Sequence, residues 1–185
     1  MSSSPLSIDV YVAPMRRYAC PDQLGEGEVA TWAPSSSTLI SGPTEGILID
    51  ALLTFENADQ IAGWAKRFGK KIAGVYITHG HSDHWLGLAR LLQHFPEARG
   101  YAAPEVAGRA AWEAEFNKTT KYWTSRFPGE LPETPVIFLP KLFAQAAIWS
   151  AFSKVSRASM RIPSVDPEIS VLLDGAQVAT SPSPS

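Results

Sequence analysis

The chain has 185 residues, a formal net charge of −2, 45% hydrophobic residues and 18% charged residues. That length suits one domain with a sizeable core, and the composition excludes a disordered polyelectrolyte. Near-neutral charge gives no drive towards nucleic acid or an anionic membrane surface, and a single cysteine, Cys20, excludes both an intrachain disulfide and a thiolate metal cluster.

The first ten residues, MSSSPLSIDV, lack the basic start and apolar run of a secretory signal. No stretch reaches the roughly 18 apolar residues that a membrane span needs. The expectation is a cytoplasmic protein with no membrane and no nucleic-acid partner. The pairs Arg16-Arg17, Lys66-Arg67 and Lys70-Lys71 read as solvated faces. Cys20 precedes Pro21 in an irregular stretch with no histidine nearby in sequence, and a bland role is expected of it.

In chain order, Ser7 to Val12 roughly alternates apolar and polar residues, as a strand does. Residues 13 to 37 are rich in Pro, Gly and Ser and read as irregular. STLISG and ILIDALL, separated by PTEG, read as a hairpin around a Pro-x-x-Gly turn. Thr54 can cap a helix from about Phe55 to Phe68, with Ile61, Trp64, Ala65 and Phe68 at helical spacing and Gly69 at its stop. Lys70 to Thr78 reads as a buried strand. The loop HGHSDH follows, then a helix from about His84 to Phe95. Gly100 to Ala103 is a short strand, and Pro104 opens a long helix to about Arg126.

Strands alternating with helices indicate an α/β layered domain. From about Leu131 the text changes. LPETPVIFLP is a Pro-punctuated linker, Lys141 to Arg161 contains no acidic residue, ISVLLDGAQVAT reads as a hairpin, and a Ser-Pro end should be disordered. The expected organisation is a half-domain over 1–136 and an atypical, partly disordered tail over 137–185.

The chemistry lies in VYITHGHSDHWLG, which holds three of the four histidines and one aspartate. The spacing is His-x-His-x-Asp-His, on His79, His81, Asp83 and His84. Imidazole nitrogen suits zinc and carboxylate oxygen joins it readily. A loop at a strand end is held more rigidly than a free loop, and the small Gly80 and Ser82 let its backbone fold tightly. The competing structural account is a capping loop, in which Asp83 or Ser82 caps the following helix. Capping alone leaves three histidines unexplained.

THGHSDH resembles the signature of the metallo-β-lactamase superfamily, and the hairpin with ILIDA resembles that family's second and third strands. The resemblance covers about residues 7 to 130. It implies the first half of an αββα sandwich, with the second half largely missing. It also implies zinc as the cofactor, one or two ions in the complete family. His79 and His81 would serve one ion, Asp83 and His84 a second, and Asp83 would have the catalytic task of orienting the attacking hydroxide. Asp50, at a strand end, resembles a family aspartate that supports the ligand loop.

The family normally adds a third first-zinc histidine, a bridging aspartate and a last histidine. Here the remaining histidine is His94, expected as a surface or helix-end charge. The spacing of Asp166, Glu168 and Asp174 does not support them as substitutes. Binding of metal is therefore expected to be weak or absent. Two accounts of the missing half stand open: a truncated chain, or a foreign reading after about Val136.

Three functional readings follow. One is a metal-dependent hydrolase whose zinc-activated water attacks an ester, thioester, lactone or similar bond of a small molecule, with ligands completed from elsewhere. Its alternative is a catalytically incompetent or regulatory remnant that self-associates through an uncovered sheet face. A third, with Cys20 or a serine as nucleophile, lacks any supporting motif. Trp112, Phe116, Tyr122 and Trp123 would either border the substrate groove or serve packing.

Overall fold

The structure, a computed structural model, describes residues 6–19 and 30–132. The expectations for Cys20 and for residues 133–185 lie outside the described residues. Five strands form one sheet in the order β1-β4-β5-β6-β7: β1 (Ser7–Val12), β4 (Ser36–Ser41), β5 (Glu45–Ile49), β6 (Lys71–Ile77) and β7 (Arg99–Ala102). β1, β4 and β5 pair antiparallel, whereas β5, β6 and β7 pair parallel. Parallel neighbours need a crossover, and helices supply it. The chain passes through α1 (Phe55–Lys66) between β5 and β6. It passes through α2 (Ser82–Trp85) and α3 (Leu88–His94) between β6 and β7.

Register explains the core. Leu39 pairs with Leu48 and Leu48 with Val75, so these three share one face, and all are fully buried. Ile77 joins them two residues after Val75. They meet Ala58, Ile61 and Ala65 of α1 and Leu88 and Leu91 of α3 in one apolar cluster. On the opposite face, Ile8, Val10 and Val12 of edge strand β1 are 68%, 56% and 61% exposed. The sheet is thus closed on one side by helices and open along β1 on the other, among the described residues.

α1 forms as its sequence suggests. Thr54 and Asn57 make a reciprocal capping box, and Gly69 takes a φ of 63° after the last turn. The β4–β5 hairpin closes through Gly42 N–H on the Glu45 carbonyl at 2.8 Å.

Four expectations need correction. The stretch 13–37 is not wholly irregular. A small ribbon, β2 (Arg16–Arg17) with β3 (Thr31–Trp32), lies in it, and β4 begins at Ser36. Arg16 is no solvated charge: it bonds Glu130 through two nitrogens at 2.7 and 3.0 Å, Thr54 at 3.1 Å and Glu56 at 3.1 Å. These partners lie at the start of α1 and near the end of the described chain.

The helix expected from His84 to Phe95 starts earlier and is broken. α2 begins at Ser82, so Asp83 and His84 are helical. The Gly87 N–H leaves the helix ladder to bond the Leu52 carbonyl at 2.9 Å. A Cβ on Gly87 would sit 2.4 Å from the Ala51 carbonyl oxygen, so the break and the glycine serve the same close approach. Finally, the long helix ends early. α4 (Pro104–Thr120) stops where Lys121 adopts a left-handed φ of 58°, and a short α5 (Tyr122–Arg126) follows. Among the described residues no helix is long and apolar enough to cross a membrane.

Candidate metal centre

The carboxyl ends of the three parallel strands deliver the site, as is general for open α/β sheets. β5 ends at Asp50, β6 runs into Thr78 and the histidine loop, and β7 leads through Ala103 into α4. Asp50 has a φ of 63°, a left-handed conformation that aspartate tolerates better than most side chains. Its backbone is fixed on both sides. The Asp50 N–H donates to the Tyr76 carbonyl at 2.8 Å, and the Ser37 hydroxyl donates to the Asp50 carbonyl at 2.8 Å.

This bend aims the Asp50 side chain under the loop, where it is 6% exposed. Oδ1 accepts the Thr78 N–H and Oδ2 accepts the Thr78 hydroxyl, both at 2.8 Å. Oδ2 also lies 2.8 Å from His84 Nδ1. The buried carboxylate is therefore fully engaged, and the His84 ring presents Nε2 outward, 3.5 Å from Asp83 Oδ2. Burial opposes a charged His84 ring. The hydrogen bond that the ring donates to Asp50 and the charges of Asp50 and Asp83 outweigh it, raising the pKa.

The loop gathers the imidazoles. Ring centroids of His79 and His84 are 3.6 Å apart, and those of His79 and His81 are 4.9 Å apart. Burial, then the neighbouring His84 and His81, push the pKa of His79 down, favouring the neutral ring that metals bind. Thr78 Oγ1 lies 3.2 Å from His79 Nδ1 as well as on Asp50, so one threonine touches both the support and a histidine. His79, Gly80 and His81 line one side of an open cavity of about 340 Å³; Glu105, Val106 and Arg109 of α4 line the other.

The four motif residues are thus brought together, and Asp50 sits against His84. His94 is not among them. It closes α3 and bonds Asp59 of α1 at 2.5 Å beside Arg90. The expected side-chain cap by Asp83 or Ser82 is absent: His81 occupies the N-cap and no side chain caps α2. Ser82 faces α4 instead, bonded to Glu113 and Asn117. Of the aromatics, Trp123 is buried, stacked edge-on against Trp32. Trp112, Phe116 and Tyr122 are exposed.

In kind, these donors fit zinc: imidazole rings and one carboxylate, with a supporting hydrogen bond behind His84. In arrangement they are incomplete. Among the described residues, no group of three or more His, Cys, Asp or Glu side chains is set to hold a metal ion.

A mixed sheet covered by crossover helices, with a His-x-His-x-Asp-His loop at the carboxyl end of a parallel strand, defines an α/β protein with a candidate metal-binding loop. The chain belongs to the metallo-beta-lactamase superfamily, whose family model matches residues 30–150. Similar solved structures include the mono-zinc form of the metallo-beta-lactamase FIM-1 from Pseudomonas aeruginosa. It is 21% identical, over 61% of this chain and 48% of that one, with a TM-score of 0.45. A metallo-beta-lactamase from Erythrobacter litoralis with beta-mercaptoethanol in its active site is 26% identical, over 58% and 42%, with a TM-score of 0.42. One from Cronobacter sakazakii with a HARLDQ motif is 28% identical, over 57% and 39%, with a TM-score of 0.41. The chain spans less than half the length of these three. No curated protein matches it.

Proposed function

We propose that the loop from His79 to His84 is this chain's share of a zinc site in a hydrolase that cleaves an ester, thioester, lactone or similar bond. His79 and His81 are assigned to one ion, and Asp83 and His84 to a second. The observation that carries this reading is the orientation of His84. Its Nδ1 is committed to Asp50, which leaves Nε2 as the free donor beside Asp83 and against the His79 ring. A histidine serving only as a surface charge needs no buried carboxylate behind it.

Zinc bound here would lower the pKa of a water and polarise a carbonyl or phosphoryl oxygen. The chain's own contributions are separate. Asp50 holds the His84 ring in one orientation. Asp83, with its side chain 22% exposed next to His84 Nε2, can accept a proton or hydrogen bond from an attacking water. The cavity between the loop and α4 gives a small-molecule substrate a place next to His79 and His81. A full coordination sphere needs further donors, because catalytic zinc usually keeps three protein ligands and an open position.

Metal content of the full chain after chelator-free purification tests this reading. Zinc should accompany the wild type and fall by about ten-fold or more in His79→Ala and His84→Ala. Absence of zinc as purified, with no uptake on titration at micromolar zinc, would overturn it.

A further inference from the structure

α4 grips the ligand loop through two residues that the metal reading leaves unused. A Cβ on Gly80 would stand 2.5 Å from Arg109 Cβ and 2.7 Å from the Ala110 nitrogen, so the loop backbone rests directly on the helix. Two residues further on, Ser82 is 1% exposed and sits between ligand candidates His81 and Asp83. Its hydroxyl donates to Glu113 Oε2 at 3.0 Å and accepts from Asn117 Nδ2 at 2.6 Å. Glu113 is held in turn by Arg109 Nη2 at 2.7 Å on its other oxygen. The relay therefore runs Asn117, Ser82, Glu113, Arg109, with the three helical members at i, i+4 and i+8 on one face of α4.

Two features speak against incidental packing. Asn117 is 9% exposed, and its Oδ1 makes no hydrogen bond among the described residues. A buried polar atom left without a partner costs stability, and an apolar residue there would avoid that cost. What Asn117 supplies is the hydrogen bond to Ser82. Ser82 itself makes no helix cap, the ordinary task of a serine at the start of a helix.

We infer that Glu113 and Asn117 are positioning residues: through Ser82 they fix the path of the loop that carries His79, His81, Asp83 and His84. The functional weight of this role rests on the reading of that loop as ligand-bearing. The relay itself is a property of the metal-free chain, so its test starts there.

Amide hydrogen exchange of residues 79–85 should be measured in metal-free full-length protein for wild type, Glu113→Leu, Glu113→Gln and Asn117→Leu, with Glu115→Gln on the exposed face as control. Glu113→Leu should speed loop exchange by about ten-fold, as expected for losing a buried hydrogen bond to a charged group, and Asn117→Leu by about three-fold, as for a neutral one. Exchange in the β6 core should stay unchanged. Glu113→Gln keeps an acceptor for Ser82 and should restore loop protection to near wild type. Unchanged loop exchange in both leucine variants overturns the inference, as does a glutamine variant as open as the leucine one. If the leucine variants speed core and loop exchange alike, the relay is a general stability element, and the inference also fails. A parallel cobalt(II) titration separates the two readings. Cobalt bound by wild type with an altered visible spectrum in Glu113→Leu supports both. No cobalt uptake by wild type removes the metal reading and leaves the relay to be judged on exchange alone.

Discussion

The histidine loop is held from two sides by different means. On the strand side one carboxylate does the work. Asp50, bent into a left-handed conformation at the end of β5, bonds Thr78 twice and meets the His84 ring directly. On the α4 side, among the described residues, no atom touches a ligand candidate's ring through a hydrogen bond. Gly80 lies flat on the helix, and the relay acts on Ser82, which stands between His81 and Asp83. The strand side sets how one imidazole is turned; the helix side sets where the backbone runs. Such a division is economical, because ring orientation and backbone path are separate requirements for a ligand constellation.

The largest expected effect lies on the strand side. Asp50→Ala removes the acceptor of three hydrogen bonds in a buried setting, leaving the Thr78 N–H and hydroxyl and His84 Nδ1 without it. The variant should lose about 3 kcal/mol of unfolding free energy in urea titration. A loss below about 1 kcal/mol would show that the buried carboxylate is not the principal support of the loop. Next comes Gly80→Ala. The φ at Gly80 is not left-handed, so the penalty is steric: α4 must retreat or the loop must rise. Overpacking of this kind costs about 2 kcal/mol. Measured beside Asp50→Ala, it weighs the helix side against the strand side on one scale, and a neutral Gly80→Ala would mean α4 floats on the loop rather than gripping it.

The two sides also differ in how legible they are in the sequence. Asp50 closes an apolar strand, ILID, and His79 to His84 lie within six residues of one another, so both appear in local text. The capped helix α1 and the alternation of strands were legible for the same reason: capping and periodicity are short-range. Glu113 and Asn117 follow Ser82 by 31 and 35 residues. On the sequence they are ordinary polar positions of a long helix. Only docking of α4 selects them. The break at Gly87 was hidden in the same way. Its cause is the approach of Ala51 and Leu52, a contact between segments that no window along α2 and α3 contains. Arg16 looks like a solvated charge in the sequence because its partners Glu56 and Glu130 lie far along the chain.

The smallest expected effect comes from a tie that touches neither anchor, which makes it a useful control. Asp59 of α1 receives Arg90 Nε at 2.7 Å and Nη2 at 3.1 Å from α3, with His94 Nε2 at 2.5 Å. The Arg90 hydrogen bonds, against a small burial cost and helped by His94, lower the Asp59 pKa from 3.8 to about 2. A carboxylate whose folded pKa is depressed adds stability that is present above its unfolded value and is lost as pH falls through the folded one. The wild type should therefore exceed Asp59→Asn in stability at neutral pH. That gap should shrink as the pH drops from 3.8 towards about 2. The pair is 41% exposed on both sides, so solvent screening keeps its worth below about 1 kcal/mol. Asp59→Asn should leave exchange of residues 79–85 unchanged, since the tie joins α1 to α3 and bonds nothing in the loop. Loop exchange rising as much in Asp59→Asn as in Asp50→Ala would show that the loop simply reports global stability, and the distinction between its two anchors would then have no basis.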